Sequence, residues 1–63
     1  MAMSKKHYVS IANALHQNYE SADNAEDKLR VQLIAIDLGM VFEADNPRFN
    51  IHRFIDAVIE GDK

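Results

Sequence analysis

Tyr8, Ile11, Leu15 and Tyr19 recur at spacings of three and four between Lys5 and Tyr19, which places them on one stripe of a helix. Ala12 lies beside that stripe, while Lys6, Asn13, His16 and Gln17 fill the opposite side. Ser4 stands where an N-cap is needed. From Glu20 to Asp27 the chain has no large apolar residue and four acids, so it must turn or lie exposed. Within this stretch Asp23 and Glu26 have capping-box spacing, and acids suit the positive end of a helix dipole.

The spacing predicts a second helix from about Asn24 to Glu43. Projected at about 100° per residue, Leu29, Leu33, Ile36 and Met40 form one stripe. Ile34, Leu38 and Val41 form another, continued by Val31, Ala35 and Phe42. Only Lys28, Gln32, Gly39 and Glu43 leave a narrow wedge for water. A helix apolar over most of its circumference needs cover on more than one side. A second copy of the chain, meeting Leu33, Ile34, Leu38, Val41 and Phe42, is the expected source of the remaining cover. Asp37 contradicts its apolar surroundings, and burying it ionised and unpaired would be very costly. It is expected either to pair with Arg30, Arg48 or Arg53 and so fix the docking of the third helix, or to lie at the rim of an interface.

Ala44 to Asn50 reads Ala-Asp-Asn-Pro-Arg-Phe-Asn, and Asn46-Pro47 ends the preceding helix. Asn50 can cap a third helix, in which Ile51, Phe54, Ile55, Val58 and Ile59 follow the amphipathic pattern and Gly61 takes the C-terminal glycine position. Phe49 and Phe54 have the spacing of a hydrophobic staple. No strand alternation, repeat or low-complexity tract competes. The expectation is one all-α domain over residues 1–63, with helices near 5–19, 24–43 and 51–60, dimeric through the second.

Lys6-His7-Tyr8 with Ile11-Ala12, then Ala44-Asp45-Asn46-Pro47-Arg48-Phe49-Asn50 followed by Arg53-Phe54-Ile55 and Ala57, resembles small uncharacterised helical proteins of tailed bacteriophages and prophages. The resemblance covers both ends of the chain and not its middle. In that family an acid commonly stands where this chain has Asn50, and a small residue then a cysteine occur near Ala57 and Val58. This chain has no cysteine, so a role resting on that thiol does not transfer. The resemblance implies a phage or prophage source and a helical fold, without an activity.

Length and charge narrow the function. A chain of 63 residues holds one small domain. Lys and Arg number 7 against 10 Asp and Glu, and the net charge of -3 opposes general attraction to phosphate backbones or anionic lipid. The absence of cysteine excludes disulfides, thiolate chemistry and sulfur-ligated zinc. Leu29 to Phe42 is shorter than the roughly 18 to 20 apolar residues that span a bilayer. The N-terminus offers no continuous apolar segment of the secretory type, so a cytoplasmic location is expected. With a second methionine at position 3, either Met1 or Met3 can serve as the start, and Met1-Ala2 is open to reading as a cloning remnant.

Candidate chemistry is sparse. His7, His16 and His52 make no i, i+4 pair and no HExxH motif, so no metal or cofactor is expected. The serines lie outside any Gly-x-Ser-x-Gly context, and two glycines make no phosphate loop, so no catalysis is expected. Arg48, His52 and Arg53 gather at the start of the third helix, as in a helix-turn-helix, but Asp56 and Glu60 follow on the same helix. Nucleic acid is therefore disfavoured. Glu20, Asp23, Glu26 and Asp27 form an acidic rim suited to a basic protein partner. The expected function is that of a non-catalytic phage interaction protein that binds and inhibits or redirects a host macromolecule, such as a defence component. The alternatives are a helix-turn-helix-like DNA-binding regulator and a dimer that sequesters a small molecule.

Overall fold

The computed structural model describes residues 4–61. Met1 to Met3, and with them the choice of start residue, lie outside the described residues. Three helices follow one another: α1 (Lys5–Ser21), α2 (Ala25–Asp45) and α3 (Ile51–Glu60). No strand occurs among the described residues. The longest dimension of the fold, 35 Å, is close to the length of α2, about 31 Å at 1.5 Å per residue.

Local chemistry sets each helix end. The Ser4 backbone N–H donates to His7 Nδ1 at 3.2 Å, so histidine takes the place of the usual Glu or Gln in the capping box. At the far end α1 runs two residues past Tyr19, and the Ser21 hydroxyl donates to the Asn18 carbonyl at 3.2 Å. The cap of α2 is Asn24, whose Oδ1 accepts from the Asp27 N–H at 2.8 Å. This shifts the cap one residue beyond the Asp23 and Glu26 register, because the Asn24 side chain reaches the third helical N–H directly. Asp23 stays outside the helix, while Glu26 and Asp27 occupy its first turn.

The Asn-Pro-Arg-Phe-Asn segment uses both of its asparagines. Asn46 Oδ1 accepts from the Arg48 N–H at 3.1 Å, and the Asn46 carbonyl accepts from the Phe49 N–H at 2.9 Å. Asn50 Oδ1 then accepts from the Arg53 N–H at 3.1 Å, capping α3. Gly61 ends α3 at φ 88°, a conformation that favours glycine.

Four of the five aromatic side chains meet at the centre of the fold. Tyr8 of α1 lies 5.1 Å from Phe42 of α2 and 4.6 Å from Phe49 of the turn, centroid to centroid. Phe54 of α3 closes the cluster at 5.5 Å from both phenylalanines, nearly perpendicular to Phe42. Tilted and edge-to-face arrangements are the favourable ones for such rings. Ala12, Ala35 and Val58 complete the buried core, flanked by half-buried Ile11, Leu15, Val31, Leu38, Ile55 and Ala57.

Two contacts fix the direction of α3. Gly39 lies so close to α3 that a Cβ there would stand 2.7 Å from Ile51 Cγ1. His16 Nδ1 lies 2.8 Å from the Val58 carbonyl, and since a carbonyl only accepts, the ring nitrogen donates. That bond satisfies one of the orphan carbonyls in the last turn of α3. Tyr8 meets Phe49 just before α3 and His16 meets its last turn, so α1 and α3 run in the same sense.

Two stability outcomes are expected. Phe42→Ala removes the ring that joins α2 to the other three and should cost about 3–5 kcal/mol, lowering the midpoint of a thermal melt by at least about 10 °C. Gly39→Ala gains up to about 1 kcal/mol of helix propensity but forces Ile51 or α3 to shift, at about 1–3 kcal/mol for overpacking. Its urea midpoint should therefore fall. A rise would show that α3 can back off freely.

Candidate functional site: the outward face of α2

The rotation of α2 about its axis decides which of its stripes the bundle covers. Ala35, Gly39 and Phe42 are buried against α1 and α3, with Val31 and Leu38 half-buried beside them. Lys28 and Gln32 flank the same side, half-buried, and both reach Tyr19. Lys28 Nζ donates to the Tyr19 carbonyl at 3.0 Å and lies 4.5 Å from the ring centroid, and Gln32 Nε2 donates to the Tyr19 hydroxyl at 3.3 Å. The wedge of Lys28, Gln32 and Gly39 expected to face water therefore faces the bundle, and only Glu43 of that set is exposed. Long amphipathic side chains reconcile the two, since their stems pack while their heads find a carbonyl, a ring and a hydroxyl.

The opposite half of α2 is consequently bare. Leu29, Leu33, Ile34, Ile36, Met40 and Val41 retain between 38 % and 62 % of their accessible surface. Of the five residues expected at an interface, Leu33, Ile34 and Val41 belong to this outward face. Phe42 does not, because its ring is committed to the aromatic cluster, and Leu38 packs half-buried against the core. Leu29, Ile36 and Met40 replace them. Contiguous exposed apolar side chains on one helix mark an interaction surface more often than free surface.

Asp37 sits on this outward face, exposed, together with Arg30. It is turned away from α3, so it does not fix the docking of that helix. Gly39, Phe42, Phe49 and the Asn50 cap perform that function.

Other charged residues gather near the two ends of α2. Glu20, Asp23, Glu26 and Asp27 are exposed around the α1–α2 connection. Near the other end, a half-open cleft of about 830 Å³ between α1 and α3 is lined by Lys5, Arg48 and Arg53, with Asp56 and Glu60 farther along α3. Tyr8 lines this cleft too, and its hydroxyl is buried with no hydrogen-bond partner among the described residues. His52 is exposed, and no group of three or more metal-ligating side chains comes together among the described residues. Nor is any helix among them long and apolar enough to cross a membrane.

Compared with known protein families, curated proteins and solved structures, the chain matches none of them.

Replacing Tyr8 by Phe keeps the ring packing and deletes the unpartnered hydroxyl. Because such a group carries a desolvation cost of about 1–3 kcal/mol, the variant should be as stable as the wild type or more so in chemical denaturation. A clear loss of stability would reveal a polar partner at the cleft floor.

Proposed function

We propose that this chain is a non-catalytic interaction protein that works as a homodimer joined through the outward face of α2. The observation that carries the reading is the distribution of aliphatic side chains. Six large ones are exposed on α2, whereas Val58 is the largest side chain that the bundle buries completely. A domain of about 60 residues buries a smaller fraction of its chain surface than a larger domain does, and oligomerisation is a common remedy. A second copy is also the partner always present wherever the chain is made. A face left bare until a rare target arrived would invite aggregation.

The acidic residues at the α1–α2 connection are the second part of the proposal. They suit a basic surface on a target protein, with charge complementarity steering the encounter. Taken with the phage resemblance, the target is a host macromolecule that the dimer inhibits or redirects, in the cytoplasm of the host. The exposed side of α3 carries Asp56 and Glu60 beyond His52 and Arg53, and acids in that position would face phosphates if α3 entered a groove.

Sedimentation should give a dimer at micromolar concentration, and Leu33→Glu should dissociate or unfold it by placing a charge in a dry contact. A wild-type monomer at tens of micromolar would overturn the proposal. Duplex DNA should not shift at physiological salt, and binding to a basic target should weaken when Glu20, Asp23, Glu26 and Asp27 are reversed to lysine. Tight DNA binding lost in Arg48→Ala or Arg53→Ala would instead favour a DNA-binding regulator.

A further inference from the structure

The outward face of α2 carries two charges in its middle, Arg30 and Asp37, both exposed and seven residues apart. Seven residues are nearly two helical turns, so the two lie on one side of the helix at different heights, about 10 Å apart. Leu29, Leu33, Ile36 and Met40 run along one flank of this pair, and Ile34 and Val41 along the other.

We infer that two copies of α2 pair antiparallel, about a two-fold axis passing between Leu33 and Ile34, so that Arg30 of each copy meets Asp37 of the other. The inference rests on the self-pairing proposed above and specifies its geometry. A two-fold contact brings the same patch of both subunits together. If the axis ran along the helices, equal heights would meet, setting Arg30 against Arg30 and Asp37 against Asp37 in an otherwise apolar contact. Like charges so placed are costly. If the axis crosses the helices, heights are exchanged. Arg30 lies three residues before Leu33 and Asp37 three residues after Ile34, so this axis makes both opposite-charge pairs at once.

A further exposed charge close to the line of Arg30 and Asp37 fits the same choice. Glu26 is exposed in the first turn of α2, four residues before Arg30, a spacing that favours an intrahelical Glu–Arg pair. Parallel pairing would set Glu26 against its own copy, whereas the antiparallel axis sets it against Val41 at the solvent-accessible end of the contact. Arg30 and Asp37 thus specify direction and register, a use of charge within apolar interfaces that is well attested for paired helices.

The chain has no cysteine, so single cysteines report this geometry cleanly. In the antiparallel pair, position 26 of one copy lies beside position 41 of the other, while the two copies of position 26 stand about 22 Å apart along the axis. A disulfide needs Cα atoms within about 7 Å. Glu26→Cys and Val41→Cys should therefore each stay uncrosslinked alone and form a mixed disulfide when oxidised together. In parallel, Arg30→Asp or Asp37→Arg alone should weaken dimerisation about tenfold or more, and the double variant should return to within about threefold of wild type. Same-site disulfides from either single variant would establish parallel pairing and overturn the inference while leaving the α2 dimer intact. A dimer giving neither kind of disulfide, or one the double reversal fails to restore, would overturn the stated register. A wild-type monomer would remove the self-pairing on which the inference stands.

Discussion

The close approach of α3 to α2 at Gly39 fixes the rest of the molecule. A Cβ at that position would stand 2.7 Å from Ile51 Cγ1, so the Ile51 side chain or α3 itself would have to shift. Without one, α3 settles against the helix deeply enough for Phe54 to stack edge-on to Phe42 at 5.5 Å. Gly39, Ala35 and Phe42 then have to face inward together, because they share one side of α2. A rigid helix has one rotational setting, and choosing it for Gly39 chooses it for every other residue. Leu33, Ile34, Ile36, Met40 and Val41 are turned outward by the same rotation that closes the core.

Energetics follow from that allocation. The inner side of α2 is lined by small residues and one ring, so the bundle gains close packing and aromatic contacts rather than a large aliphatic core. Much of the aliphatic surface of α2 stays exposed and adds little to holding the three helices together. Burying even half of it against another helix would supply stabilisation of a size that matters to a domain so small, since a fully buried Leu or Ile side chain is worth about 1.5–3 kcal/mol against a total stability of about 5–15 kcal/mol. Under the proposed self-pairing, folding and association would be coupled.

Features set by neighbouring residues could be read from the chain alone. The Asn50 cap, the pairing of Phe49 with Phe54 and the glycine at the end of α3 depend on spacings of a few residues. The bounds of α2 were readable to within about two residues for the same reason. Its rotation was not. When apolar residues cover most of a helix, periodicity carries little directional information, and the polar wedge of Lys28, Gln32 and Gly39 pointed to water when it faces Tyr19 and α3. The available signal was size, since Ala35 and Gly39 are small residues four apart, a spacing that opens one side of a helix to close packing. His16 escaped for a different reason, because its partner, the Val58 carbonyl, lies 42 residues away and belongs to a backbone atom without a sequence signature.

An apolar surface by itself says little about what lies on it, because aliphatic contacts have no direction. Two hydrophobic helices can slide, rotate or reverse with small changes in buried area, and the penalty that distinguishes these arrangements must come from polar groups that are matched in one and mismatched in the others. In the proposed pairing this discrimination falls to Arg30 and Asp37. Arg30 and Asp37, with Glu26 at one end, stand among six large exposed aliphatic side chains, an apolar share higher than a free surface usually carries. If the face were an interface to a polar target, so many aliphatic residues would be out of place. Under the proposed antiparallel pairing, a largely apolar face with two opposite charges related by a simple exchange of height would be self-complementary. The exposure of the aliphatic residues and the position of the charges are therefore one feature, set by the rotation that Gly39 imposes on α2.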